Sequence, residues 1–190
     1  MKITDLSEKE LTELNEFLET HPKSHFMQSP EWAKVKTDWK NEILIVRNQK
    51  SNKITGVMSV LIRKIPGIHQ NMMYAPRGFV CNLHDKDTLQ NLTNQVRELA
   101  KKYKAFIFKM DPDISNADAE FKILMKSLGY KFTKDTKKAS RGLQPRIIER
   151  IILTNKTEEE QIQETSEEIL KEKLRANVDI ACKGRIVKIF

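Results

Sequence analysis

Gln28-Ser29-Pro30-Glu31-Trp32-Ala33-Lys34-Val35-Lys36, with Trp39 soon after it, is the stretch on which the reading of this chain turns. Ser29 is a good N-cap, and Pro30 suits the first helical position because its missing N–H would be unpaired there anyway. Trp32, Val35 and Trp39 recur at i, i+3 and i+7, so the pattern predicts a short helix with both tryptophans of the chain on one anchored face. Lys36 leaves this helix near its C-terminal end. Packed aromatics beside a cation would hold it on a firm base, as a site for an anionic group requires. Spacing alone also allows the plainer alternative, a solvated lysine among many.

Outward from this segment the pattern is α/β. Before it, Ser7 and Glu10 form a capping box, Leu6 and Leu11 sit where a hydrophobic staple would join them, and Leu11, Leu14, Phe17 and Leu18 make one apolar stripe. After it, Ile43–Val46 and the run from Ile54 to Ile65 read as a hairpin around the polar loop Asn48–Lys53. Met72–Val80 is a third strand, broken by Pro76 and Gly78. Asp85–Lys102 is the clearest helix, with Leu89, Leu92, Val96 and Leu99 on one face. Ala105–Phe108 is a short buried strand, followed by the turn signal Asp111-Pro112-Asp113. A helix from about Asp118 to Ser127 ends before Gly129, and Tyr130–Phe132 and Ile147–Leu153 would add strands. Lys134–Leu143 is a basic linker. From Thr157 the chain is a charged helical stretch with an apolar face at Ile169, Leu170, Leu174, Val178 and Ala181, which expects a partner chain or dimer mate, folds back on the first domain, or stays partly exposed.

The 190 residues suffice for one domain with a proper core and a tail. The formal charge of +8 is uneven: residues 151–190 hold seven Lys/Arg against eight Asp/Glu, which leaves +9 for residues 1–150. A basic domain favours polyanion contact, with RNA, a pyrophosphate-bearing molecule or an anionic membrane surface. The alternative is that a Lys-rich chain is basic for no specific reason. Cys81 and Cys182 are far apart and outside any CxxC pair, which argues against a disulfide framework or zinc site and favours a reduced, cytoplasmic setting. The N-terminus lacks a signal pattern, and no apolar run approaches the ~20 residues of a membrane helix.

Much catalytic chemistry is excluded. The six glycines never fall as GxG, so there is no dinucleotide fingerprint, no Walker A loop and no Gly-rich pyrophosphate loop for acetyl-CoA. Four histidines form no HExxH and no close pair, so no metal site is expected, and no serine has a nearby histidine to activate it. Asp111 and Asp113 fit turn chemistry better than acid–base work. Arg77, before Gly78, could fork onto a phosphate or carboxylate, or equally brace a loop. Lys109, read as lying at the C-terminal end of its strand, is a second candidate, since ligand clefts form off such ends.

Gln28–Lys36, Tyr74-Ala75-Pro76-Arg77-Gly78, Phe108–Asp113, Leu128-Gly129-Tyr130 and Gln144-Pro145-Arg146 together resemble the Fem-type peptidoglycan-bridge aminoacyltransferases, over roughly residues 1–155. The resemblance implies a GNAT-like (acyl-CoA N-acyltransferase-like) mixed sheet flanked by helices, with a C-terminal charged helical extension. Relatives are about twice this length, with two such domains. It therefore implies a first domain at 1–153 and a truncated start of the second at 154–190. Where the family typically carries Lys-Thr-Arg-Tyr-Asn-Ile-Arg, this chain reads Lys173 to Asp179, with Ala176 and Asp179 replacing the tyrosine and the last arginine.

The implied reaction moves an amino acid from aminoacyl-tRNA to the stem peptide of a cell-wall precursor, lipid-linked or UDP-linked, with no cofactor. Lys36 carries over as a contact to the precursor's phosphate or sugar region. Thr37, Asp38 and Trp39 extend that site, and Arg77 and Lys109 are further substrate-binding candidates. No catalytic residue is named, since those of the second domain are missing. Peripheral contact with the inner membrane surface is compatible with this. The alternative is a non-catalytic remnant, or a precursor- or tRNA-binding module that needs a partner chain.

Overall fold

The alternation in Ile43–Val46 and the apolar run after Ile54 fold into an antiparallel pair. Strand β1 (Lys40–Arg47) lies along β2 (Ile54–Lys64), from Lys40 opposite Ile62 to Arg47 opposite Ile54. The computed structural model describes residues 2–112, 114, 118–133 and 185–189, the last by backbone alone. The strand expected at 147–153, the Lys173–Asp179 stretch, the linker and the apolar helix face at Ile169, Leu170, Leu174 and Val178 all lie outside the described residues.

The broken third strand divides at its proline and glycine. β3 (Asn71–Ala75) pairs with the Leu61–Lys64 half of β2, and β4 (Val80–Cys81) pairs with Gly56 and Val57. β5 (Ala105–Met110) runs parallel to β3, and with β6 (Lys131–Thr133) and β7 (Arg185–Ile189) the described strands form one mixed sheet in the order β1-β2-β3-β5-β7-β6.

β7 departs from expectation, because the sequence reading places 185–189 in a charged helical extension. They form a strand antiparallel to both β5 and β6. The alternation Arg-Ile-Val-Lys-Ile and its β-branched residues suit a strand, and the open edge of β5 supplies the partner.

Helices cover both faces of this mixed sheet. On one face, α3 (Lys86–Lys102) and α4 (Ala119–Ser127) bury Leu89, Leu92, Val96, Phe121 and Met125 against Leu44, Met58, Met73, Phe108 and Met110. Full burial of each large apolar side chain contributes roughly 1.5–3 kcal/mol. On the other face, α1 (Glu8–Thr20) sets Leu14 and Leu18 on Ile43, Val57 and Val80, with Leu6 and Leu11 alongside. Start chemistry is as read. Ser7 Oγ accepts from the Glu10 N–H, the Glu10 carboxylate accepts from the Ser7 N–H at 2.9 Å, and Asp85 and Asp118 cap α3 and α4. Gly129 stops α4 at φ 86°.

Sheet and helix approach each other closely at Gly56. A Cβ there would lie 2.5 Å from the Thr88 methyl carbon, and Thr88 is pinned by hydrogen bonds to Thr55 and Asp85. Only glycine lets α3 settle this low on β2.

Candidate functional site

Ser29 and Pro30 do start a helix, with the Ser29 hydroxyl accepting from Trp32 N–H, but α2 is only Pro30–Val35. Lys36 is its C-cap, and its N–H donates to Trp32 C=O. The i, i+3, i+7 face is therefore not formed. Val35 is 66 % exposed, and Trp39 lies past the helix end, reached through a turn in which its N–H donates to Lys36 C=O. Six residues make too short a helix for a seventh-place repeat to stay on it.

The two indoles, half-buried rather than buried, each carry a cation instead. The Lys36 ammonium stands 4.8 Å from the centroid of Trp32, and the Arg63 guanidinium 5.5 Å from that of Trp39. Phe26 meets Trp32 edge-on at 5.2 Å. The aromatic quadrupole attracts each cation and fixes its direction. Thr37 and Asp38 are exposed in the turn between Lys36 and Trp39.

What fixes this segment is Gln28, whose role sequence reasoning missed. It is fully buried at the end of the 3-10 turn Phe26–Gln28. β2 pairs with β3 only from Leu61 onward and with β4 only at Gly56–Val57, so Ser59 falls in a gap of the ladder. The Gln28 carboxamide fills that gap as a peptide group would. Its oxygen accepts from Ser59 N–H at 2.7 Å, and its amide donates to Pro76 C=O and, at 3.4 Å, to Ser59 C=O.

Arg77 is not presented to a cleft. It is 3 % exposed with φ 55°, and its backbone N–H donates to the Asp111 carboxylate at 3.2 Å, an oxygen that also accepts from Tyr74 OH at 3.0 Å. Its Nε and Nη1 have no hydrogen-bond partner among the described residues. Asp111 is buried at this junction rather than standing in an open turn, and Asp113 lies outside the described residues.

Lys109 stands near the C-terminal end of its strand, as read. It is half-buried one residue before the last of β5, Met110, and is paired between Tyr74 on β3 and Val187 on β7. Pairing on both sides carries the strand past the point where its apolar run stops.

The structure therefore joins Lys36 to Trp39 through the turn, and groups Arg77 and Lys109 separately around Tyr74 and Asp111. A cavity of about 480 Å³ lies elsewhere, lined by Gln70, Arg97, Ala100, Lys101, Lys104, Ala105 and Phe106.

A second polar cluster was not legible either. Glu42, fully buried on β1, accepts hydrogen bonds from the Lys102 ammonium at 2.7 Å and from Tyr103 OH. Burial pushes its carboxyl up, but hydrogen bonds, first among them that of Lys102, outweigh this and hold it at about 2. Lys102 is shifted up by the same bond, and Tyr103 is shifted up by burial and by Glu42. This cluster holds α3 to β1.

Comparison with known proteins covers most of the chain. The model described as the FemAB family matches residues 7–184. The lipid II:glycine glycyltransferase of Staphylococcus epidermidis is 31 % identical over 151 residues, 77 % of this chain and 36 % of that protein. The protein of the same name from Staphylococcus aureus is 30 % identical over 118 residues, 60 % of this chain and 28 % of its own length. The crystal structure of FemX superposes with a TM-score of 0.65 at 29 % identity, over 72 % of this chain and 34 % of that one. The chain spans about a third of the length of the curated relatives it matches.

Proposed function

The chain belongs to the FemAB family, and from that premise we propose that it serves synthesis of the peptidoglycan interpeptide bridge, as the precursor-binding part of an aminoacyltransferase. The observation that carries this is the Lys36 ammonium held over Trp32 at 4.8 Å, on a segment locked to the sheet by Gln28. A cation fixed in direction, half-buried and next to the exposed Thr37 hydroxyl suits a phosphate with sugar hydroxyls beside it. The acceptor in this reading is a lipid-linked muropeptide, as the names of the staphylococcal relatives suggest for those proteins.

The donor is aminoacyl-tRNA. The amine of the stem peptide attacks the ester carbonyl, a C–N bond forms, the C–O bond to the tRNA ribose breaks, and the ribose hydroxyl takes the proton. An ester is already activated, so positioning supplies much of the rate and no nucleophilic triad is needed. Lys36, Thr37 and Asp38 bind and orient, while Trp39 directs Arg63. Arg77 receives no ligand contact in this reading, because it is enclosed, while the half-buried Lys109 near the end of β5 stays a second candidate contact. The division into a first domain at 1–153 and the opening of a second from 154 is part of the same proposal, as is action in the cytoplasm.

The test is calorimetric titration of lipid-linked and nucleotide-linked muropeptides into the parent chain and Lys36→Ala. A charged hydrogen bond contributes about 1.5–3 kcal/mol, so the variant binds roughly 10- to 100-fold more weakly. Equal affinities would remove Lys36 from the site. A transfer assay with charged tRNA, run on this chain alone and mixed with the second half of a relative, separates an enzyme part from a binding module.

A further inference from the structure

We propose that the end of the sheet around the Ile65–Gln70 turn is a docking face for an anionic lipid bilayer. This goes beyond the reading above and stands whatever acceptor Lys36 holds.

Several elements converge there. β2 leaves through Arg63 and Lys64, and the chain turns at Ile65-Pro66-Gly67-Ile68-His69, closed by Ile65 N–H donating to Gln70 C=O at 3.1 Å. Gly67 takes φ 81° at the tip, and Ile68 beside it is 43 % exposed. Lys40 enters β1 at this end, opposite Ile62. α3 arrives from the other side with Lys101 and Lys102, and the Tyr103–Lys104 turn is tied to the hairpin by Asn71 N–H donating to Lys104 C=O at 3.2 Å.

The cavity of about 480 Å³ opens here, lined by the apolar Ala100, Ala105 and Phe106 together with Gln70, Arg97, Lys101 and Lys104. The acids nearby are few. Glu98 pairs with Lys101 at 2.8 Å, an exposed bridge that screens little, and Glu42 is buried beneath Lys102. Arg97 directs two of its N–H groups to Asn94 and Leu128.

An exposed aliphatic tip, flanking cations and an apolar recess within their reach match the layers of an anionic membrane. Ile68 enters the headgroup zone, lysines meet the lipid phosphates, and an acyl segment reaches the floor of the cavity. Lysines at a helix C-terminus also complement its dipole, but that accounts for Lys101 and Lys102 and not for Lys64 or Ile68. Nucleic acid is less well matched, because the exposed apolar side chain at the tip is aliphatic and offers no stacking surface.

The test is vesicle co-sedimentation of the full chain with phosphatidylglycerol–phosphatidylcholine vesicles and with phosphatidylcholine alone, at low and high salt. The parent chain binds the anionic vesicles and is released by salt. Reversing Lys64→Glu and Lys104→Glu together weakens partitioning at least about tenfold, since each basic residue near such a surface contributes about a factor of five. Ile68→Ser weakens it further in a salt-insensitive way.

Lys50→Glu with Lys53→Glu, on the exposed β1–β2 loop at the far end of the sheet, changes net charge equally and leaves binding in place. Circular dichroism confirms that each variant folds. Equal loss from both reversals, or no preference for the anionic vesicles, would overturn the proposal. So would a loss of tRNA binding without loss of vesicle binding. Muropeptide titration of the Lys64/Lys104 variant stays unchanged, so this result and that for Lys36 are read apart.

Discussion

Replacing Gln28 tests the central packing argument, because one side chain stands in for a missing stretch of β-ladder. In Gln28→Leu the volume is nearly kept, but Ser59 N–H and Pro76 C=O, both bonded in the parent chain, lose their partners inside the protein. Each buried group left unsatisfied costs about 1–3 kcal/mol, so the variant loses about 2–6 kcal/mol. That is a large share of the ~5–15 kcal/mol typical of a domain.

Gln28→Glu is the sharper variant. It keeps the acceptor for Ser59 N–H and sets a second acceptor against Pro76 C=O, where only a protonated carboxyl can donate. The introduced carboxyl therefore has a raised folded-state pKa. The folded state holds its proton more tightly than the unfolded state, so this variant's deficit against the parent grows as pH rises above the ordinary carboxyl value and shrinks below it. Urea unfolding of parent and both variants at pH 7 and pH 5 measures this. A Leu variant within about 1 kcal/mol of the parent, or a Glu variant whose deficit ignores pH, would refute the peptide-surrogate argument.

The remaining predictions concern the attachment of α3. Glu42 has its carboxyl held at about 2, so its contribution is complete above the ordinary carboxyl value and is lost as pH falls from there toward 2. Glu42→Gln should be less stable than the parent at pH 7 by about 1.5–3 kcal/mol, with the gap closing in acid, followed by thermal unfolding across pH. Gly56→Ala should destabilise by about 1–3 kcal/mol through the 2.5 Å approach to the Thr88 methyl carbon. Thr88→Ser removes that methyl and keeps the hydroxyl, so the double variant should recover part of the loss. Strict additivity in denaturant unfolding would show that the contact is not the cause.

Local signals were read correctly wherever the chain carries its own partner. The Ser7–Glu10 capping box, the face of α3 and the β1–β2 hairpin depend on residues a few places apart, and the structure keeps them. The readings that failed assumed continuity. The tryptophan repeat ran past the end of a six-residue helix, and Arg185–Ile189 was read as helix. In each case the outcome was fixed by a partner elsewhere: the sheet that Gln28 joins, and β5 and β6 around β7.

By itself the sequence determined the α/β order, the basic character, the helix starts and the presence of an aromatic-backed lysine, because these follow from spacing and side-chain chemistry. Only the tertiary structure decided that Gln28 closes a ladder gap at Ser59, that Glu42 meets Lys102 sixty residues away, and that Arg77 is enclosed beside Asp111. A buried polar group takes whatever donor or acceptor the fold brings within about 3 Å of it, and no periodicity along the chain encodes which one that is.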